Sequence, residues 1–141
     1  MLEFKEDKIR YLEMLQSIVT RMAANSFNLK SWTVTLVAGI LALSSNKANT
    51  GYLFITFIPI IGFWFLDTYY LHLERRYRAL FDFIRINELA EINFNLNPKD
   101  IQNESDKSLQ YFFCFFSKSE WLFYLPLGVI VGVVMKLTNL I

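Results

Sequence analysis

Two apolar stretches of this chain carry opposite charges, each set back from the short polar turn that joins the stretches. The turn is Ser45-Asn46-Lys47-Ala48-Asn49, and the charges are Lys30 and Asp67. In an antiparallel helical hairpin centred between Ala48 and Asn49, Lys30 falls level with Asp67, Asn25 with His72 and Arg21 with Arg76. At a rise of about 1.5 Å per residue the charged pair lies about 28 Å from the turn. That is close to one hydrocarbon thickness. A charge so deep is costly alone, so it is expected to pair, or to face protein or water. The pattern predicts an all-α membrane protein with a polar belt at one interface. Its transmembrane hairpin extends into the cytoplasm, and a third transmembrane helix follows at the C-terminal end.

Composition agrees with that class. At 141 residues the chain makes one domain at most. Hydrophobic residues reach 54% against 19% charged, a skew that suits a bilayer better than water. A net charge of +1 offers no global attraction for nucleic acid. Cys114 is the lone cysteine and His72 the lone histidine, which excludes an internal disulfide and a Cys/His metal cluster. The charged opening Met1 to Arg10, with no apolar run close behind, does not read as a secretory signal.

Three apolar blocks are long enough to span, at about 29–45, 52–71 and 121–141. The first contains Ser and Thr, which suits packing on other helices. Arg21 and Lys30 precede the first block, and Arg75, Arg76, Arg78 and Arg85 follow the second, whereas the turn carries only Lys47. The positive-inside bias therefore places the N-terminus and the 72–120 segment in the cytoplasm. Trp32, Trp64 and Trp121 then all lie near the inner interface, where amphipathic rings settle.

Both membrane helices are expected to continue beyond the bilayer. Tyr11, Leu15, Ile18, Met22, Asn25 and Leu29 step by four and three, a coiled-coil-like seam. Leu66, Tyr70, Leu73, Tyr77, Leu80 and Ile84 repeat the alternation, with Phe81 widening the stripe. The long hairpin thus occupies 1–93. A polar cytoplasmic loop and the aromatic run Tyr111 to Phe116 fill 94–120, and the third helix takes 121–141. Pro59 is expected to kink the second span. Gly128 and Gly132 form a GxxxG spacing that lets helices approach closely.

No phosphate-binding glycine loop, HExxH or nucleophile elbow is present, so neither an enzyme nor a cofactor is expected. Lys30 and Asp67 support two readings: an ion pair locking the hairpin, or part of a polar ring at a pore mouth in an oligomer. Arg75, Arg76, Arg78 and Arg85 suit anionic headgroups or, alternatively, a nucleotide or oligonucleotide, since guanidinium forks match phosphate. Glu74, Asp82 and Glu88 lie among them at helical spacing and would neutralise part of the patch. Gly128 and Gly132 suit packing. With Val131 and its valine neighbours they are alternatively candidates for a pore lining or a gate that closes by dewetting.

Asn25-Ser26-Phe27 with Lys30 and Trp32, and Phe63 to Leu71 followed by Glu74-Arg75 and Arg78, carry a resemblance. Across about Tyr11 to Arg85 the chain resembles small membrane proteins of bacterial antiphage loci, in particular the membrane effector of Hailong-type systems. The resemblance implies an inner-membrane homo-oligomer such as a tetramer, switched by a nucleotide-type signal from a partner nucleotidyltransferase. Its opening would pass ions and collapse the membrane potential. A non-conducting anchor or scaffold subunit and a holin-like disrupting toxin are the alternatives.

Overall fold

The computed structural model describes residues 2–44, 50–87, 94, 96–97 and 110–140. Helix α1 covers Leu2–Ser44 and α2 covers Phe57–Ile86, with a 3-10 helix at Thr50–Thr56 leading into α2. A short α3 at Tyr111–Phe115 turns directly into α4, Lys118–Leu140. Three of these helical stretches are long and apolar enough to cross a membrane, and the chain is an all-α membrane protein. The Ser45–Asn49 turn, Glu88 and residues 98–109 lie outside the described residues.

α1 is 43 residues long, or about 64 Å, roughly twice a hydrocarbon core. Proline and glycine are absent before Gly39, so nothing interrupts the helix as it leaves the apolar zone. The hairpin register expected from the turn holds. Val37 packs with Ile60 near the turn, and Tyr11 and Leu15 pack with Leu80 and Ile84 at the far end. On the second seam, however, Leu66 is exposed and the neighbouring Asp67 is buried. An outward leucine meets hydrocarbon at no cost, whereas the carboxylate needs its ammonium partner.

At the far end of the hairpin, Lys8 Nζ donates to the carbonyls of Arg85 at 3.5 Å and Asn87 at 3.1 Å. A cation there meets the negative end of the α2 dipole and takes up carbonyls that have no partner in the helix. Phe94 returns to this end with its ring edge-on to Tyr11, at 5.7 Å between centroids.

Pro59 causes no mid-span kink. It is the third residue of α2, in the first turn where no intrahelical N–H bond is required, and the 3-10 segment precedes it. The third helix begins at Lys118, three residues before the apolar block. It runs antiparallel to α2: Tyr124 bonds Asp67 near its start, and Val131 shares a buried cluster with Val37 and Ile60 further along. Large apolar side chains such as Leu43, Ile58 and Leu122 point outward, as a lipid-facing surface requires.

A buried charged junction between three membrane helices

Lys30, at mid-α1, gathers acceptors from three directions. Its Nζ forms an ion pair with Asp67 Oδ2 on α2 and a second with Glu120 Oε1 on α4 at 3.3 Å. It also donates to Ser26 Oγ, one turn back on its own helix, at 3.1 Å. The Tyr124 hydroxyl donates to Asp67 Oδ2 at 3.1 Å. The side chain of Asp67 is 0% exposed and that of Glu120 1%, whereas Lys30 retains 18%. One ammonium therefore ties all three membrane helices together, with its exposed edge on the lysine side.

Local chemistry explains each placement. Ser26 lies four residues before Lys30, so its hydroxyl faces the same side of α1. Glu120 lies in the first turn of α4, where the positive end of the helix favours a carboxylate. The turn before it is tight: Ser117 N–H donates to Cys114 O at 3.0 Å, and Trp121 N–H donates to Ser117 O at 3.1 Å. Thr33 and Thr68 are buried beside apolar neighbours because each hydroxyl donates to the carbonyl four residues back, at 2.7 and 2.8 Å.

An aromatic wall flanks the junction. The Trp64 indole stacks with the Phe115 ring at 4.5 Å and with the Tyr124 ring at 5.7 Å. Trp121 meets the same indole edge-on at 6.3 Å. Trp64 and Trp121 thus share one level. The Tyr111 hydroxyl donates to Phe65 O at 3.1 Å and fastens α3 across α2.

Lys30 and Asp67 are the pair that the turn register sets level. Glu120 is the member that sequence reasoning missed, because the third span was drawn from Trp121 onward. The available signal was an acid beside an interfacial tryptophan, at the depth of the other two charges. Val131, expected as a gate candidate, is instead fully buried with Val37, Ile60 and Tyr124 inside one chain. Its short branched side chain packs where α1, α2 and α4 meet. Gly128 and Gly132 mediate no close approach among the described residues: a Cβ at either position would meet nothing within 4 Å.

The arginines do not converge on one point. Arg75 Nη1 donates to Cys114 Sγ at 3.6 Å. Arg78 pairs with the largely covered Glu74 at 2.8 Å and Arg85 with the exposed Asp82 at 3.0 Å, while Arg76 is half-buried. The Cys114 thiol holds its proton above the ordinary range, mainly through burial, with the Arg75 guanidinium pulling the other way. Burial likewise raises the Tyr111 phenol.

No protein-family model, curated protein or solved structure matches this chain.

Proposed function

We propose that the protein is an oligomeric ion-channel effector of the bacterial inner membrane, acting in antiphage defence. A nucleotide or oligonucleotide signal from a partner nucleotidyltransferase switches it, and its opening depolarises the membrane. The N-terminus and the far end of the hairpin are cytoplasmic in this reading. The observation that carries it is the Lys30–Asp67–Glu120 junction, because ionisable groups held at membrane depth are a usual mark of ion pathways and their gates. The resemblance around Asn25 to Trp32 and Phe63 to Arg78 supports the defence context. The conduit would form between copies, since the interior of one chain is filled by Val37, Ile60, Tyr124 and Val131. The open side of Gly128 and Gly132 supplies a face on which a second copy can pack. Arg75, Arg76, Arg78 and Arg85 are the candidate contacts for the phosphate-bearing signal.

A non-conducting anchor or scaffold is the second reading, favoured by the complete burial of both carboxylates within one chain. Purified protein in voltage-clamped bilayers separates the two. The channel reading expects current that responds to added oligonucleotide, and it fails if a correctly assembled oligomer stays silent. Asp67→Asn then reports on the junction: altered conductance with assembly intact supports the pore role, whereas lost assembly supports the lock.

A further inference from the structure

The junction holds one carboxylate more than its cation can neutralise. Lys30 on α1 contributes one positive charge, and Asp67 on α2 with Glu120 on α4 contribute two negative charges when both are ionised. Tyr124, the remaining titratable group in contact, donates to Asp67 as a neutral phenol and leaves the imbalance standing. On the α3 side, the Arg75 guanidinium is turned to the Cys114 thiol at 3.6 Å. An uncompensated charge shielded from water by three helices is strongly unfavourable, and such groups neutralise instead.

The second observation is where the acceptors are left over. Asp67 uses Oδ2 for both Lys30 and Tyr124, and Glu120 uses Oε1 for Lys30. The other oxygens, Asp67 Oδ1 and Glu120 Oε2, are buried and have no hydrogen-bond partner among the described residues. An ionised carboxylate only accepts, so two ionised carboxylates cannot satisfy each other's free oxygen. One added proton converts a surplus acceptor into a donor and removes the surplus charge in the same step. A multivalent metal fits less well, because no group of three or more His, Cys, Asp or Glu residues is gathered among the described residues.

We propose that Asp67 and Glu120 form a proton-binding site, in which one proton held by the carboxyl pair completes a neutral junction with the Lys30 ammonium. On release the O–H bond breaks, the electron pair stays on the carboxylate oxygen, and the proton passes to bulk water. Two carboxylates then confront one ammonium across α2 and α4. The resulting strain falls on the seat of α4 against the hairpin, which makes that seat sensitive to pH. The site stands whether or not the protein conducts.

Infrared difference spectroscopy of the full-length protein in lipid nanodiscs tests the assignment. The wild type should show a carboxylic-acid carbonyl band at neutral pH that disappears on raising the pH. Glu120→Gln and Asp67→Asn should each abolish it, since either leaves a single carboxylate matched to Lys30. The wild type alone keeps the test decisive if a variant fails to fold: its band should be indifferent to exchange of sodium and potassium for N-methylglucamine. Absence of the band at neutral pH overturns the proposal. So does a band that persists in either folded variant, or a spectral response that follows alkali-cation concentration at fixed pH.

Discussion

Two levels of the α1–α2 hairpin are held by different physics. Midway along it, Lys30, Asp67 and Glu120 tie three helices through buried charge. At the far end, Tyr11, Leu15, Leu80 and Ile84 form an apolar cluster, and the nearby ion pairs Arg78–Glu74 and Arg85–Asp82 decorate the surface. The contrast follows from the surroundings. Apolar contact draws helices together strongly where water is the competing solvent. Inside a bilayer, lipid tails compete equally well for an apolar side chain, and polar contacts between helices become the distinguishing interaction.

That contrast can be broken most forcefully at its charged end. Lys30→Met leaves two buried carboxylates without their cation, and breaking a buried pair in this way costs about 3–5 kcal/mol. Chemical unfolding of the protein in micelles should show the loss, with α4 becoming protease-accessible first. A result near zero would mean that the junction contributes nothing to holding the helices. At the apolar end, Leu15→Ala removes a fully buried side chain from the cluster and should cost about 2–5 kcal/mol in the same unfolding experiment. Its effect should be confined to the far end of the hairpin, so that hydrogen exchange rises around Leu80 and Ile84 but not around Asp67.

A smaller effect belongs to Cys114, which lies between the two regimes. Because the folded chain holds the thiol proton more tightly than the unfolded chain, its stabilising contribution is complete below the ordinary thiol range. It is lost as pH rises through that range toward the higher folded value. Thermal unfolding should therefore show an alkaline decline that Cys114→Ala reduces. A decline of equal depth in the variant would assign it elsewhere. The smallest change is expected for Arg78→Ala. The arginine side chain is 61% exposed, and an exposed pair of this spacing contributes about 0.3–0.5 kcal/mol. A loss above that range would show that the surface pairs matter as much as the apolar seam.

Particular residues show how far the sequence was readable. The helix–helix seam was visible at Tyr11, Leu15 and Leu29 because a heptad-like spacing repeats there. It slipped at Ile18 and Leu66, where Val19 and Asp67 take the buried positions instead. At Leu66 the cause is the bilayer: an apolar stripe stops marking the inside once the outside is also apolar. That Val131 faces inward and the two glycines outward was not legible for the same reason: beyond Glu120, α4 is apolar on every side as far as Lys136, so composition does not say which face meets the hairpin. Glu120 lies ninety residues from Lys30 in the chain, and no local spacing relates them.

Segment lengths, the positions of the charges and the short turn sufficed to determine three membrane-crossing helices and a hairpin register pairing Lys30 with Asp67, because those properties follow from rise per residue and bilayer thickness. Which carboxylate joins that pair from the third helix was decided only by packing, as was the face of α4 that turns inward. Both depend on how rigid helices rotate about their axes to satisfy a buried charge, and that rotation is a property of the assembled bundle.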